Sequence, residues 1–316
     1  MEDRRPTLNG VRAAAARIAP AVTKTPLLPF EWEERHYWAK AECLQQGGSF
    51  KLRGATNRLM LLDEAERARG VVAFSSGNHA QGVALAARRL GVEATIVLPI
   101  DAPAVKREAT RALGARIVLY DRKKQSREAI AKRLAAESGA TLVPSFDDVD
   151  VIEGQGSVGV EIAEQLGAPP PMVIVPCGGG GLSGGIALAL PESRIIVVEP
   201  AGWDDMARSL ARGEIVPMED PAPPSACDAL QTWQVSPLTF GALREAAAEA
   251  LTVTEEEVAE AMRFAFRHLR IVAEPGGAVA LAAMIADKVD APDGSVIVVS
   301  GGNVDPELYG EILDEG

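Results

Sequence analysis

Three kinds of residue are scarce in this chain. Its 316 residues include only three cysteines and three histidines, and aromatic side chains make up 4%. Cys43, Cys177 and Cys227 lie far apart and form no C-x-x-C pair, which argues against a disulfide-rich domain and a zinc module. Such scattered cysteines are typical of a reducing compartment, so we expect a cytoplasmic protein.

Positive charge and long apolar runs are scarce as well. The 32 lysines and arginines are outnumbered by 44 aspartates and glutamates, which leaves a formal net charge of −12. Because such a surface repels phosphate backbones and anionic lipids, we expect neither nucleic acid nor a membrane as a partner. No run approaches the roughly 18 apolar residues of a membrane-spanning helix, and the N-terminal segment lacks the apolar core of a signal peptide.

Short apolar segments alternate with helical segments along most of the chain. The predicted strands are residues 71–74, 94–99, 115–120, 171–176, 194–200 and the apolar part of 294–303. Strands followed by helices indicate parallel sheets, and strands that are apolar throughout indicate sheets covered on both faces. An irregular segment near residue 145 separates two such series. The sequence therefore predicts an α/β protein with two domains, whose parallel-rich sheets are flanked by helices.

Four consecutive glycines, residues 178–181, follow an apolar strand and precede an apolar helix in the segment PCGGGGLSGG. Successive backbone N–H groups without side chains can converge on one anion, and the helix N-terminus adds a favourable dipole. The segment therefore predicts a phosphate-binding loop. Gly179, Gly181 and Gly184 also match G-x-G-x-x-G, with Glu199 about twenty residues further on, so an NAD-binding oxidoreductase is an alternative.

A lysine follows a glycine pair in GGSFKLRGA, residues 47–55, at the start of a helical segment. Lys51 lies beside Phe50 and at a helix N-terminus, where desolvation and the helix dipole both lower the pKa of an amine. A neutral amine is what Schiff-base chemistry requires. Lys51 is therefore a candidate nucleophile, although a single lysine is more often a solvated surface charge.

Two further strand ends carry small polar residues. The segment SSGNHAQG, which begins at Ser75, follows the predicted strand 71–74 and opens a helix. The segment SGGN, which begins at Ser300, follows the last predicted strand. Open α/β sheets bind ligands at the carboxyl ends of their strands, and the hydroxyl, amide and backbone N–H groups of SSGNHAQG suit a carboxylate.

Taken together and in this order, SFKLRGA, SSGNHAQG, GGGGLSGG, EPAGWDD and SGGNVD resemble the fold-type II pyridoxal-phosphate enzymes, in particular the branch of serine/threonine dehydratases and serine racemases. The resemblance implies pyridoxal 5'-phosphate as the cofactor and a small amino acid as the substrate. It also implies a large cofactor-binding domain of residues 1–44 and 145–316, a small mobile domain of residues 45–144, and a homodimer.

The resemblance implies roles for individual residues. Lys51 would hold the cofactor covalently, with Asn78 at the ring hydroxyl and Ser300 at the pyridine nitrogen. The residues implied around the ring are Phe50, Asn78, Glu274 and Ser300. The phosphate would be held by the backbone N–H groups of Gly178, Gly179, Gly180, Gly181 and Leu182. The substrate carboxylate would be surrounded by Ser75, Ser76, Asn78 and His79.

The reaction implied by the resemblance is a β-elimination. Lys51 would remove the α-proton of a small β-hydroxy amino acid, L-serine or L-threonine first, and loss of the hydroxyl would lead to a 2-oxo acid and ammonia. The chain is thus expected to be a carbon–oxygen lyase. Serine racemisation is the close alternative, because Ser76 would lie on the face opposite Lys51 and could donate a proton there. The expected catalytic residues are Lys51 and Ser76.

Two further matches concern a cation and the substrate. In EPAGWDDM, Glu199 and Asp205 would offer carboxylates and Trp203 a backbone carbonyl to Mg²⁺ or Ca²⁺, and an ordinary acidic loop is the alternative. Arg127 matches a position that can face the active site in racemases, where it could pair with a second carboxylate on the substrate. This match makes 3-hydroxyaspartate an alternative substrate, and an exposed helical arginine the alternative interpretation.

The sequence departs from the family pattern around the implied substrate pocket. Ala229 replaces a glycine, Thr232 stands where a serine is common, and Phe74 stands where relatives often have a polar residue. These positions leave the side-chain preference of the enzyme open.

Overall fold

The computed structural model describes residues 4–75, 77–102 and 104–314. The strands within these ranges are β1 (Leu27–Trp32), β2 (Arg35–Ala41), β3 (Val71–Phe74), β4 (Ala94–Pro99), β5 (Arg116–Tyr120), β6 (Thr141–Leu142), β7 (Met172–Pro176), β8 (Arg194–Pro200), β9 (Glu249–Val253) and β10 (Val296–Val299). The α-helices are α1 (Leu8–Ile18), α2 (Lys51–Met60), α3 (Glu64–Arg69), α4 (Asn78–Leu90), α5 (Ala104–Ala112), α6 (Arg127–Ser138), α7 (Val149–Gln155), α8 (Ser157–Leu166), α9 (Gly181–Ala189), α10 (Asp205–Arg212), α11 (Pro237–Glu245), α12 (Glu255–Phe264), α13 (Pro275–Ile285) and α14 (Pro306–Asp314). None of these helices is long and apolar enough to cross a membrane.

The described strands form two sheets. The larger sheet has the order β1-β2-β10-β7-β8-β9, in which the β1–β2 pair is antiparallel and the other described pairs are parallel. The smaller sheet has the order β5-β4-β3-β6, with parallel pairs. Parallel-rich sheets flanked by helices confirm the predicted α/β class. The smaller sheet lies within the predicted mobile domain of residues 45–144, and the division into domains stays a prediction.

The central strands β10, β7 and β8 of the larger sheet are buried on both faces, which explains their apolar residues. Successive residues of β7 point to opposite faces, so Met172 and Ile174 enter one apolar cluster while Val173 and Val175 enter the other. The first cluster also contains the buried residues of α13, and the second contains those of α9. This packing fixes the carboxyl ends of β7 and β10, from which the loops described below emerge.

Sequence patterns located the apolar central strands and missed the polar or short ones. The predictions for residues 71–74, 94–99 and 194–200 coincide with β3, β4 and β8, and β5 and β7 begin one residue later than predicted. The hairpin β1–β2 carries several exposed or charged residues, β6 has two residues, and β9 lies at a sheet edge. Strands with one solvated face lack the continuous apolar signal that the prediction used.

The segment that carries Lys51 is attached to the end of β10. Ser49 forms an antiparallel bridge with Gly301, and the Phe50 amide donates to the Ser300 carbonyl at 3.2 Å. The Gly302 amide donates to the Gly48 carbonyl at 2.9 Å. Lys51 then begins α2, so these backbone hydrogen bonds place it beside the carboxyl end of the central strand.

A buried cluster of charges anchors α2 as well. The Arg53 guanidinium donates to both carboxylate oxygens of Glu42, each at 2.8 Å, and to both oxygens of Glu161, at 2.6 and 2.9 Å. Lys40 donates to Glu161 at 2.7 Å. Arg53, Lys40 and Glu42 are fully buried. Because buried charges are tolerated only when paired, this cluster constrains α2 two residues after Lys51.

Candidate active site

A cavity of about 470 Å³ lies at the carboxyl end of β3, next to the loop that follows β7. A narrower cleft adjoins it and shares Lys51 and Glu274 with it. The predicted site residues that line one or both spaces are Phe50, Lys51, Ser75, Asn78, His79, Arg127, Gly178, Gly179, Gly180, Gly181, Leu182, Glu274 and Ser300. Glu199, Trp203 and Asp205 do not line them, and Ser76 is outside the described residues.

The glycine loop joins β7 to α9. After β7, the Cys177 amide still donates to the Val198 carbonyl of β8 at 2.8 Å, and the Gly184 amide donates to the Gly180 carbonyl at 2.8 Å in the first turn of α9. The Gly180 amide contacts the sulfur of Cys177, and within the described part of the chain none of the backbone N–H groups of residues 178–182 donates to a backbone carbonyl. These amides lie at the positive end of a helix dipole, so they can bind an anion.

Packing requires glycine at two positions of this loop. Gly180 has a φ of 82°, in the left-handed region, and a Cβ there would lie 2.8 Å from Cε of Met206. A Cβ at Gly179 would overlap the ring of Phe146, which packs against the loop. Side chains at these positions would therefore displace either the loop or its neighbours.

Lys51 lies at the first position of α2, where it lines both spaces. Its amine donates to the Ser145 carbonyl at 3.1 Å and lies 4.9 Å from the centroid of the Phe50 ring. Burial lowers the pKa of Lys51 to about 8, and the Glu274 carboxylate opposes part of that shift. The α4 helix packs closely against this backbone, since a Cβ at Gly82 would lie 3.0 Å from the Lys51 carbonyl carbon.

Asn78 is held from both sides. Its side-chain amide donates to the carboxylate of Glu274, and its side-chain oxygen accepts a hydrogen bond from Asn303 at 2.8 Å. Asn303 in turn donates to the Gly47 carbonyl at 2.8 Å. Glu274, at the N-terminus of α13, donates its backbone N–H to the Gly301 carbonyl at 3.0 Å. The chain of contacts fixes Asn78 next to the cleft that Lys51 lines.

Ser300 ends the central strand β10 and is buried at the wall of the same cleft. Its backbone is held by two hydrogen bonds, because its amide donates to Gly277 at 3.3 Å and its carbonyl accepts from Phe50. Phe50 lines the cleft beside Lys51. The order of the motifs along the sequence did not reveal this contact between the Lys51 loop and the Ser300 loop.

His79 and Ser75 lie at the N-terminus of α4. Nε2 of His79 lies 2.9 Å from the Val143 carbonyl, whereas its buried Nδ1 has no hydrogen-bond partner among the described residues. Burial, followed by the nearby Lys51 amine, lowers the pKa of His79 to about 3, so its ring stays neutral. The Ser75 hydroxyl accepts a hydrogen bond from the Gly77 amide at 3.2 Å. The amides of Asn78 and His79 donate to no described atom.

Arg127 begins α6 and lines the cavity, although its side chain is 42% exposed. Its Nε donates to Glu128 at 2.9 Å, and its guanidinium carbon lies 5.7 Å from the centroid of the Phe74 ring. Neither terminal guanidinium nitrogen donates to a described residue. A second cation, Lys132, lines the same cavity. Acidic residues line it too, namely Glu128, Asp147 and Asp228.

The EPAGWDD segment lies behind the glycine loop. Glu199 is fully buried and accepts hydrogen bonds from the Met206 and Ala207 amides at 3.1 and 2.7 Å. Both carboxylate oxygens of Asp205 are buried without a hydrogen bond of normal geometry from a described residue. Burial raises the pKa of Asp205 to about 7, and burial together with Asp205 raises the pKa of Glu199 well above its usual range.

Two neighbouring buried carboxylates suit a divalent cation, which would offset their charge. Within the described ranges, no group of three His, Cys, Asp or Glu side chains could hold a metal ion. A cation bound by Glu199 and Asp205 would therefore need backbone or water oxygens as well. The Trp203 carbonyl is the predicted backbone ligand, and the indole of Trp203 donates to the Pro223 carbonyl at 2.8 Å.

Sequence patterns missed Ser145 and Phe146. The Ser145 carbonyl accepts from Lys51, and Phe146 packs against the glycine loop. Both belong to the irregular segment near residue 145, which has no periodicity and separates the two series of strands. The only available signal was that an irregular segment between two sheets often carries functional residues.

The site residues fit pyridoxal phosphate better than a dinucleotide. Amides that donate to no described backbone carbonyl adjoin a lysine of lowered pKa, and Asn78 and Ser300 line the cleft beside it. Glu199, which would bind a ribose in the NAD-binding alternative, is instead buried and occupied by two backbone amides. The geometry thus favours the first interpretation of the glycine run.

Comparison with known proteins supports the same conclusion. Residues 18–301 match the family described as pyridoxal-phosphate dependent enzyme. The chain is 44% identical to an L-threo-3-hydroxyaspartate ammonia-lyase from Pseudomonas sp., over 95% of this chain and 96% of the relative. It is 38% identical to a serine racemase from Schizosaccharomyces pombe, over 98% of both chains.

A solved structure agrees with these relatives. The maize serine racemase superposes with a TM-score of 0.90 at 36% identity, covering 99% of this chain and 98% of that one. The similarity therefore spans both sheets and the residues that line the cavity and the cleft. The chain belongs to the fold-type II family of pyridoxal-phosphate-dependent enzymes, in the branch of ammonia-lyases and amino-acid racemases.

Proposed function

We propose that this enzyme is an ammonia-lyase for a β-hydroxy amino acid with a second carboxylate, of which 3-hydroxyaspartate is the simplest. The observation that carries the proposal is Arg127, whose two terminal nitrogens are unpaired among the described residues in the wall of the cavity that also contains Lys51. An arginine fork binds a carboxylate in a bidentate manner. The similarity to an L-threo-3-hydroxyaspartate ammonia-lyase supports the same substrate class.

Lys51 would be both the attachment point of the cofactor and the base. Pyridoxal phosphate, when bound, supplies a conjugated ring that accepts electrons from the α-carbon of an amino acid. The phosphate would be held by the amides of residues 178–182, which donate to no described backbone carbonyl, and the ring would lie near Phe50, Asn78 and Ser300. Because burial lowers the pKa of the Lys51 amine, a larger fraction of it is uncharged and able to accept the α-proton than for an exposed lysine.

The N-terminus of α4 would bind the α-carboxylate. The amides of Asn78 and His79 donate to no described atom and lie at the positive end of the helix dipole. The Ser75 hydroxyl orders this turn through the Gly77 amide. With the α-carboxylate at α4 and the second carboxylate at Arg127, loss of the β-hydroxyl and hydrolysis would release oxaloacetate and ammonia.

L-Serine and L-threonine, expected first from the resemblance, are the competing substrates. Neither has a second carboxylate, so neither would use the Arg127 fork. Racemisation of serine is the competing reaction, and for it Ser76 is the proposed proton donor opposite Lys51. We expect Ser76→Ala to suppress racemisation while much elimination is retained, and equal loss of both activities would contradict this role.

The substrate proposal is tested by the specificity of the holoenzyme. We expect kcat/KM for 2-oxo acid formation from a 3-hydroxyaspartate diastereomer to exceed that from L-serine or L-threonine. Replacing Arg127 with glutamine should lower kcat/KM for hydroxyaspartate about 10- to 100-fold, because a charge-assisted contact is lost, and should change L-serine turnover little. A preference for L-serine or L-threonine in the wild type would contradict the proposal. So would equal losses in Arg127→Gln.

We also propose that Glu199, Asp205 and the Trp203 carbonyl bind Mg²⁺ or Ca²⁺. The two buried oxygens of Asp205, which accept no hydrogen bond of normal geometry from a described residue, support this proposal, because a cation would compensate their charge. Adding either cation to chelator-treated protein should raise the melting temperature, and Asp205→Asn should abolish the rise. A melting temperature that ignores both cation and chelator would contradict a metal site.

The homodimer and the cytoplasmic location stay predictions from the resemblance and from the cysteine usage. Sedimentation equilibrium tests the first directly. A molecular mass near twice 33.3 kDa is expected, and a monomer at micromolar concentration would contradict it.

A further inference from the structure

Phe74 occupies an unusual place for a large aromatic side chain. It is the last residue of β3 and pairs with Val97 of β4, and the three residues before it are buried. Phe74 itself is partly buried, and its ring lies between an apolar cluster and the cavity. That cluster includes Ile130 and Ala131 of α6, the helix that begins with Arg127.

The ring also contacts the Arg127 guanidinium, which lies 5.7 Å from its centroid. A guanidinium at this distance from an aromatic face is attracted by the negative charge of the π-system. Nε of Arg127 donates to Glu128, whereas the two terminal nitrogens have no described partner. The aromatic contact and the ion pair thus hold the guanidinium while its terminal nitrogens stay available.

The position of Arg127 is unfavourable for the helix itself. It lies in the first turn of α6, where the helix dipole favours acidic residues. A partly exposed arginine side chain also has many rotamers, so it would be poorly ordered without lateral contacts. Helix stability therefore does not explain this cation, whereas binding of an anion in the cavity does.

We propose that Phe74 is a specificity-determining positioning residue, whose ring holds the Arg127 guanidinium towards the cavity for the distal carboxylate of a dicarboxylic substrate. The inference rests on the proposed function. It goes further by assigning part of the preference for a second carboxylate to an uncharged residue that acts through Arg127. A leucine at this position would preserve apolar packing and lose the π-face.

The first test compares Phe74→Leu and Phe74→Tyr in the holoenzyme. We expect Phe74→Leu to lower kcat/KM for 3-hydroxyaspartate about two- to fivefold, mainly through KM, with L-serine turnover unchanged. Phe74→Tyr, which keeps the ring, should recover most of the loss. Val118→Ala is the matched control, since Val118 packs on the same apolar cluster without lining the cavity. An equal loss on both substrates would overturn the proposal.

A double-mutant cycle makes the test independent of general damage to the fold. In an Arg127→Gln background, Phe74→Leu should have no further effect on hydroxyaspartate, because the group that the ring positions is gone. Additive losses would overturn the proposal. If Phe74→Leu does not fold, Phe74→Met takes its place in the cycle, with the same expected and contradicting results.

Inhibition by substrate fragments supplies a readout besides turnover. Succinate has two carboxylates and propionate has one. Phe74→Leu should weaken inhibition by succinate and leave inhibition by propionate unchanged, and an unchanged inhibition constant for succinate would overturn the proposal. If Arg127→Gln alters selectivity and Phe74→Leu does not, only the role of Phe74 fails. If Arg127→Gln leaves selectivity unchanged, the proposed function fails with it.

Discussion

The cavity and the cleft that adjoins it form one space, whose two ends are built from different parts of the chain. At the cofactor end, backbone amides of residues 178–182 and buried side chains such as Asn78 are held by short hydrogen bonds and close packing. At the distal end, Arg127 and Lys132 are partly or largely exposed side chains on one helix. Backbone amides are present whatever the side chain, whereas an exposed side chain can be replaced without disturbing the core. The difference suggests that the first end determines the chemistry and the second selects the substrate.

Among the variants considered, the removal of the Lys51 amine at the cofactor end should lower activity the most. Lys51→Ala should lower 2-oxo acid formation at least about 10³-fold for every substrate, because the proposed attachment point of the cofactor and the proposed base are both lost. The visible absorbance of the lysine-bound cofactor should disappear as well. Lys123→Ala, on the exposed surface, is the control and should keep both. Substantial activity in Lys51→Ala would refute the assignment.

The buried charge cluster around Arg53, which anchors α2 next to Lys51, can be tested by its effect on the free energy of unfolding. Arg53→Met leaves Glu42 and Glu161 without their arginine, and Glu42 is fully buried. We expect a loss of about 3–5 kcal/mol in the free energy of unfolding, measured by urea denaturation. Arg133→Met removes an exposed pair with Glu137 and should cost less than about 0.5 kcal/mol. Similar small losses for both variants would show that the buried cluster does not anchor α2.

A methyl group in the glycine loop should affect the cofactor end alone. Gly179→Ala would push against Phe146, and we expect the affinity for pyridoxal phosphate to fall at least about tenfold. Gly241→Ala, in α11, meets no atom within 4 Å and should retain full affinity. Titration of cofactor-free protein by absorbance measures both. If both variants bind the cofactor like the wild type, the close packing of the loop has no role in binding.

The smallest predicted effect concerns the charge of Lys51 in cofactor-free protein. Below pH 8 the amine is protonated in both the folded and the unfolded chain, and its burial destabilises the fold. Between pH 8 and 10.5 the folded chain loses this proton while the unfolded chain keeps it, so the contribution of Lys51 to stability rises with pH. Lys51→Met should therefore be more stable than the wild type below pH 8. The difference should shrink towards pH 10.5.

Urea denaturation at pH 7, 9 and 10.5 provides the measurement. A constant difference between Lys51→Met and the wild type across this range would show that the pKa of the folded amine is not lowered. Lys123→Met serves as the matched control, because an exposed lysine should contribute no such pH dependence.

The residues predicted for the cofactor end lie together in the structure, around one cleft. The glycine run joins β7 to α9, and Lys51 begins α2. Local sequence patterns therefore locate both, and backbone geometry explains why glycine is needed in the run. Ser145 and Phe146 were missed because tertiary packing alone brings an irregular segment to the loop. The Asn78–Glu274 contact joins α4 to the start of α13, and no periodicity predicts a pair so distant in the chain.

At the distal end, the sequence leaves the interpretation of Arg127 open between a substrate ligand and an exposed helical arginine. In the structure the Arg127 side chain is partly exposed and also lines the cavity, and its role as a substrate ligand stays a prediction. Phe74 departs from the family pattern in the sequence, but its contact with Arg127 is visible only in the structure. Side-chain contacts between a strand end and the next helix depend on rotamers, which sequence patterns do not determine.

A crystal structure of the holoenzyme with bound succinate tests the division between the two ends most directly. One carboxylate should lie at the amides of Asn78 and His79, and the other should accept hydrogen bonds from the terminal nitrogens of Arg127. Succinate bound with neither carboxylate at Arg127 would contradict the claim that the distal end selects dicarboxylic substrates.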